Sequence, residues 1–320
     1  MPVFRPPLYR LLEADPAANY SDLYFVRIFS KYKLENLLGN NERSMVFRAV
    51  RIADQTECVL KIYNPNFYTS NWRVRRGREA IILLSRRWLR SVRGRSTGIS
   101  DALSYLEMEY FDGSPLDSMM PARVYSELTL LKITKEIILA VQEIHDAQVV
   151  HGDIKPDNIL LSSQGSVKIV DFELSRMMAD ERSMDKEELV GSMGYIAPEI
   201  ILHEMSNSFL SDIFSTGMTL YYLWTGFHGC LAKSTESFID RLQTFNPKMN
   251  LHSHGVHPRL SDLICAMVDP NPHYRPHSLD QATVLVHDLH DSLRNSLAMT
   301  MSSPRWTTHS PRHHLLNSVP

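Results

Sequence analysis

Period-two alternation of apolar and polar residues recurs between Tyr32 and Phe111, interrupted by a helical stretch around Glu79, and a helical period takes over from Leu130. Tyr32 to Val50 reads as two strands around a polar turn: YKLENLLG, then NNERS, then MVFRAV. Cys58-Val59-Leu60-Lys61 alternates as a third strand. In RVRRGREAIILLSRRW, Ile82 and Leu83 lie three and four residues after Glu79, so a helix puts that one acid on an apolar face. Leu103 to Phe111 reads as a strand entering a linker, broken at Asp112-Gly113-Ser114-Pro115. Leu130, Ile133, Ile137, Val141 and Ile144 mark an amphipathic helix. Ile159 to Leu161 and Val167 to Val170 flank the turn Ser162 to Ser166 as a short hairpin. The stretch from Ser211 through Trp224 is apolar on all sides and predicts a buried helix. Ala282, Leu285, Val286, Leu289 and Leu293 make a last helix, with Ser278 and Gln281 as its capping box.

A length of 320 residues allows one large domain or two lobes and a sizeable core. The net charge of −2 implies no general attraction to nucleic acid or membrane. No apolar run approaches membrane-spanning length, and MPVFRPPLYRLLEADP has no apolar core of the signal-peptide kind. Three widely spaced cysteines, Cys58, Cys230 and Cys265, read as free thiols in a reducing compartment, with no zinc spacing. A cytoplasmic protein is expected, a nuclear one being the alternative. Residues 1–31 read as an N-terminal extension, the domain proper as 32–294, and residues 295–320 as a disordered tail rich in Ser, Pro and His.

Chemistry concentrates in HGDIKPDNILLSSQGSVKIVDFE, His151 to Glu173. The hairpin carries a polar group at each open end, so Asp153, Asn158 and Asp171 can face one small volume. Two carboxylates and an amide oxygen suit Mg²⁺, which commonly shares its shell with phosphates. Lys155 between them offsets developing negative charge. These are the parts that phosphoryl transfer needs.

The stretch resembles the catalytic and metal-binding loops of the protein kinases, H-R-D-x-K-x-x-N followed by D-F-G. It departs at Gly152, in place of Arg, and at Glu173, in place of Gly. Further motifs follow in the family's order. Lys61 stands in the V-A-I-K strand, Glu79 in the helix that pairs with it, and Gly191 to Glu199 in the Ala-Pro-Glu segment. Asp212 and Arg275 come last, and the likeness spans residues 32–294. It implies an α+β bilobal protein-kinase fold with a small β-rich N-lobe (32–111) and a larger helical C-lobe (112–294). It implies ATP and Mg²⁺ as cofactors, with Asn158 and Asp171 on the metal. Asp153 would orient the substrate hydroxyl and accept its proton, and Lys61 and Lys155 would neutralise phosphate charge. Leu38, Gly39, Val46, Val59, Met108 as gatekeeper, Leu160 and the backbone of Glu109 and Phe111 would contact the nucleotide. His151 would be a packed residue of a spine with Phe172 and Leu83. Asp212 would hold the catalytic loop, and Arg275 would pair with Glu199.

In the phosphate-covering hairpin only Gly39 of three glycines survives, with Asn41 and Ser44 at the later positions. A weaker phosphate grip is therefore expected. Arg75 and Arg76 lie near Glu79 on its helix and could compete with Lys61 for it, an inactive arrangement. Lys155 marks the loop as the Ser/Thr type, so the expected function is Ser/Thr protein phosphorylation. A pseudokinase scaffold, motivated by Glu173 and the degraded glycine loop, is the alternative. A small-molecule kinase, suggested by His-Gly-Asp, fits less because Lys155 and the Ala-Pro-Glu segment are present. Without an Arg at position 152, little dependence on activation-segment phosphorylation, at Ser183 or Ser192, is expected. Nine arginines between Arg73 and Arg95 read as a solvated helix face and loop, or as a docking surface for an acidic partner. Nucleic acid is disfavoured because no aromatics interleave. His252, His254 and His257 read as a surface loop before a metal site.

Overall fold

The four strands read between Tyr32 and Phe111 are joined by a fifth, Gly94–Ser100, which the sequence reading did not include, in one five-stranded antiparallel sheet of order β1-β2-β3-β5-β4. Its strands are β1 (Tyr32–Asn40), β2 (Ser44–Arg51), β3 (Thr56–Tyr63), β4 (Gly94–Ser100) and β5 (Leu103–Glu109). The computed structural model describes residues 31–64, 70–100, 103–119, 125–178, 193–202, 207–232 and 234–302. The extension expected over 1–31 lies almost entirely outside the described residues, as does the tail beyond 302.

Successive strand residues point to opposite faces of a sheet. Met45, Phe47, Ala49, Cys58, Leu60 and Ile62 therefore share one face, where they form a core with Tyr32, Leu34 and Tyr105. The residues between them, Val46, Val59 and Lys61, face the other way. The helix Ser70–Leu84 lies against β4. Gly94 permits that approach: a Cβ there would stand 3.0 Å from the Leu83 backbone.

The second lobe is helical. Ser126 caps the helix Glu127–Asp146, its hydroxyl accepting from Thr129 N–H at 3.2 Å. That helix buries Ile133, Ile137, Val141 and Ile144, as its periodicity predicts. The helix Phe209–Thr225 runs behind it, buried from Ser211 to Thr225, and stops at Gly226 in a left-handed conformation with φ +74°. The helices Pro258–Met267 and Asp280–Ser302 complete the packing. The last helix continues past the boundary expected at 294. It begins at Asp280, so the Ser278 hydroxyl bonds Asp280 (2.9 Å to Oδ2) and not the Gln281 partner that the capping-box reading names.

Short strands of the helical lobe frame the site. β6 (Ser114–Pro115), β8 (Ile159–Leu161) and β9 (Val167–Ile169) form one sheet, and β7 (Val149–Val150) pairs with β10 (Arg176–Met177). The hairpin read from the sequence is β8 and β9, which places Asn158 and Val170 side by side: Val170 N–H donates to Asn158 O at 2.9 Å.

Candidate active site

The β2–β3 register sets Val46 opposite Lys61, and the β3–β5 register sets Val59 opposite Met108. Lys61 thus enters the cleft between the lobes. Its ammonium donates to Glu79 Oε1 at 2.8 Å and to Asp171 Oδ1 at 2.8 Å. Glu79, on the helix Ser70–Leu84, is buried and also accepts from the Tyr63 hydroxyl at 3.0 Å. Burial opposes the charge on Lys61, but the carboxylates of Asp171 and Glu79 outweigh it and hold the ammonium well above the usual lysine range. Burial likewise works against ionised Asp171, and Lys61 overcomes it, keeping that carboxyl below the usual range. Glu79 is pushed up by its complete burial, which Lys61 only partly offsets. The inactive arrangement with Arg76 on Glu79 is not the one adopted. Arg76 stacks over the Tyr63 ring at 5.5 Å, because Lys61 and Tyr63 already occupy the carboxylate. The Arg75 side chain lies outside the described residues.

The catalytic loop hangs on Asp212, buried in the helix Phe209–Thr225. Its carboxylate accepts from the backbone N–H of His151 at 2.8 Å and of Gly152 at 2.9 Å. Gly152 has φ +81°, and a Cβ there would lie 2.9 Å from the Leu174 carbonyl oxygen. Burial lowers the His151 pKa, and its ring lies edge-on to Phe172 at 4.8 Å. Its Nε2 meets the Val170 carbonyl at 3.2 Å, so the ring is packed inside the lobe. Phe172 and Leu83 are buried in the same core.

Three residues of the loop converge. Lys155 Nζ lies 2.8 Å from Asp153 Oδ2, and Asn158 Nδ2 donates to the same oxygen at 3.0 Å and to Asp153 O at 2.9 Å. Burial works against the Lys155 charge, but Asp153 raises its pKa, so it stays cationic. Because Asn158 donates through its nitrogen, its amide oxygen is turned away from Asp153 and is the atom left for a cation. Asp171 has φ +63°, a conformation that costs a non-glycine residue about 1 kcal/mol or more. Its side chain is still 39% exposed toward the cleft. An amide oxygen and an open carboxylate are a donor set that fits Mg²⁺.

Glu173, which stands where the resembled motif has Gly, turns into the site. Its side chain is 7% exposed; Oε1 accepts from Arg43 Nη1 at 2.8 Å, and Oε2 lies 3.6 Å from Lys61 Nζ. Arg43 sits in the turn between β1 and β2. Sequence reasoning missed it, since its partner is 130 residues away. In that turn Asn41 Oδ1 accepts from the backbone N–H of both Arg43 and Ser44, each at 2.8 Å.

Of the residues that the resemblance places at the nucleotide, Met108 is buried, Val46, Val59 and Leu160 are half-buried, and Leu38 and Gly39 are exposed. Glu109 N–H donates to Arg93 O at 2.9 Å, so that group serves the sheet and not a ligand. The Glu109 carboxylate meets Lys168 at 2.6 Å and Arg93 at 3.2 Å, contacts that the sequence reading did not include. Phe111 follows in the linker between the lobes.

Away from the cleft, Glu199 and Arg275 form the pair expected of them. Ser183 and Ser192 lie outside the described residues. Of the histidine cluster read as a surface loop, His252 lies in the helix Pro247–Ser253 and His254 caps its end, Nδ1 bonding Asn250 O at 2.7 Å, while His257 accepts from Arg259 N–H at the start of the helix Pro258–Met267.

The protein kinase domain family matches residues 32–288. The serine/threonine-protein kinase GRIK1 of Arabidopsis thaliana is 33% identical over 175 residues, covering 53% of this chain and 42% of the relative. The serine/threonine-protein kinase PrkC of Bacillus subtilis is 28% identical over 254 residues, covering 78% of this chain and 39% of the relative. The putative serine/threonine-protein kinase R436 of Acanthamoeba polyphaga mimivirus is 26% identical over 257 residues, covering 78% and 91%. The matches thus span about two-fifths of the first two relatives.

Proposed function

The chain belongs to the protein kinase domain family, and from that premise we propose that it transfers the γ-phosphate of ATP to a Ser or Thr hydroxyl of a protein. One observation carries the proposal: Lys61 bridges Glu79 and Asp171 at 2.8 Å each, which aligns the helix, the strand and the metal loop in one arrangement. Protein kinases require both the Lys–Glu pair and the metal Asp in place for transfer.

Asp153 holds the acceptor hydroxyl and takes its proton as the oxygen attacks. Asn158 keeps the Asp153 carboxylate oriented. Lys155, 2.8 Å from that carboxylate, meets the charge that grows on the transferred phosphoryl group. Lys61 positions the α- and β-phosphates. Mg²⁺ on Asn158 and Asp171 would neutralise the β- and γ-oxygens. Leu38, Gly39, Val46, Val59, Met108 and Leu160, with the Glu109 carbonyl and Phe111, form the adenine slot. Gly152 leaves no arginine to read a phosphate on the activation segment, so turnover should depend little on phosphorylation of Ser183 or Ser192.

The test is transfer of labelled phosphate from ATP and Mg²⁺ to the chain itself and to generic protein substrates, beside Asp153→Asn. Signal lost in the variant supports the proposal. No signal from either protein, with ATP binding intact, supports the second reading, a nucleotide-binding scaffold. That reading draws on Glu173, which directs a carboxylate at Lys61.

Two wider readings go with it. The Arg-rich region lines a cavity of about 450 Å³ with Arg86, Arg87, Arg93 and Arg95 around Glu109. Lys168 and Arg93 already neutralise Glu109, and Arg87 has no carboxylate partner among the described residues. An acidic protein segment is the partner this chemistry suits. No described helix is long and apolar enough to cross a membrane. Buried free thiols at Cys58 and Cys230 suit a reducing compartment such as the cytoplasm.

A further inference from the structure

In the turn between β1 and β2, three backbone amides are already bonded within the turn. Arg43 N–H and Ser44 N–H both donate to Asn41 Oδ1 at 2.8 Å, and Asn41 N–H closes the turn on Ser44 O at 3.0 Å. The Asn41 oxygen therefore sits in the amide nest as an anion's oxygen would. The turn is also pinned to the strand beyond it. Asn64 N–H donates to Arg43 O at 2.7 Å, and Asn64 Nδ2 donates to Glu42 O at 2.8 Å. Its backbone is thus poorly placed to grip phosphate, but well placed to hold one side chain steady.

That side chain is Arg43. Its guanidinium crosses the cleft to Glu173 Oε1, 2.8 Å away, while Glu173 Oε2 approaches Lys61 Nζ to 3.6 Å. One carboxylate is shared between a guanidinium and the lysine that the proposed function assigns to the phosphates. Two cations around two anionic oxygens are the environment of a bound phosphate group. Glu173 supplies those oxygens from within the chain. The Arg43 side chain is 32% exposed and Glu173 only 7%, so the guanidinium can swing toward solvent while the carboxylate stays inside the site. A polyphosphate carries more charge than one carboxylate and presents the planar fork with a matching pair of oxygens.

We propose that Arg43 is a nucleotide-phosphate ligand, and that Glu173 is its resident competitor in the nucleotide-free cleft. The triphosphate takes the guanidinium from Glu173 on binding, and the loop's grip passes from backbone amides to this side chain. The assignment deepens the ATP-binding reading and rests on it. No bond is made or broken covalently; one ion pair is exchanged for another.

The experiment measures dissociation constants of the full chain for ATP, ADP and adenosine, without Mg²⁺ and with it. The proteins are the wild type, Arg43→Ala, Arg43→Lys, Glu173→Gln and the double variant Arg43→Ala/Glu173→Gln. Thermal melts of the same proteins report whether each variant is folded. Arg43→Ala should weaken ATP about tenfold or more, one charge-assisted contact, and leave adenosine unchanged. Arg43→Lys should fall between, since a point charge replaces the fork. Glu173→Gln should tighten ATP severalfold and leave adenosine unchanged, an effect that shrinks in the double variant because the competed cation is gone. Equal losses for ATP and adenosine in Arg43→Ala, or none for either, would overturn the proposal by making Arg43 a structural or idle residue. Wild-type protein that binds ATP but gains nothing from Glu173→Gln would overturn the competitor role. A wild-type chain that bound neither ATP nor adenosine would remove the nucleotide reading itself, and this proposal with it.

Discussion

Glu199 and Arg275 face each other fork to fork, with Nη1–Oε1 at 2.7 Å and Nη2–Oε2 at 2.8 Å, and side chains 2% and 0% exposed. Arg275 also donates to the carbonyls of Asp269, Leu210 and Pro270, and its guanidinium lies over the Phe214 ring at 4.8 Å. The Ala-Pro-Glu segment is thereby fastened to the core of the helical lobe. Arg275→Leu should cost about 3–5 kcal/mol, because it strands a buried carboxylate. Chemical denaturation measures it. Pairing it with Glu199→Leu should recover part of the loss, and no recovery would mean the carbonyl contacts matter more than the ion pair.

Gly217 lies mid-way along the helix Phe209–Thr225, where alanine ordinarily helps by about 1 kcal/mol. Here a Cβ would meet Met267 Cβ and Val268 Cγ1, both at 2.7 Å. Overpacking of that kind costs about 1–3 kcal/mol. Gly217→Ala should therefore lower the melting temperature. A variant as stable as wild type would show that the helix Pro258–Met267 can retreat.

Lys61 and Glu79 should separate in kinetics. Lys61→Met leaves Asp171, Glu79 and Glu173 without their shared cation and removes the phosphate contact. A loss of kcat of roughly 10²–10³ is expected, the size seen when one preorganised charge partner is removed. Glu79→Gln keeps Lys61 on Asp171 at 2.8 Å and should cost only about tenfold. Steady-state rates on a generic substrate decide it, and equal losses would show that Asp171 alone cannot hold Lys61.

Burial pushes the Cys58 thiol up to about 11 and the Cys230 thiol up to about 12. At pH 8 about one part in a thousand of Cys58 is thiolate, the reactive form. Brief alkylation of native protein should leave both unmodified and reach only Cys265, which is half-buried. Peptide mapping reads the pattern, and modified Cys58 in folded protein would contradict its place beneath the sheet.

Local patterns carried much of the site. Asp153, Lys155 and Asn158 lie within six residues, and a hairpin with open polar ends leaves few ways to arrange them; they do converge. The alternation that sets Val46, Val59 and Lys61 on one face was legible for the same reason: strand periodicity allows only two faces. Ser278 shows the limit of this reading. Its motif was present, but the helix starts at Asp280, and the hydroxyl took the nearer partner.

The amino-acid sequence by itself determined the strands and long helices that build the site, their order, the family resemblance and the ligand types around the hairpin, because these follow from short-range sterics and periodicity; the strand Gly94–Ser100 and the helix Pro247–Ser253, with weaker patterns, were not read. Only the tertiary structure decided who shares Lys61, that Arg76 turns to Tyr63 and leaves Glu79, and that Glu173 points inward to Arg43. Such choices are competitions among charges far apart in the chain. They are settled by where burial leaves each group and how many partners reach it, and neither quantity is local.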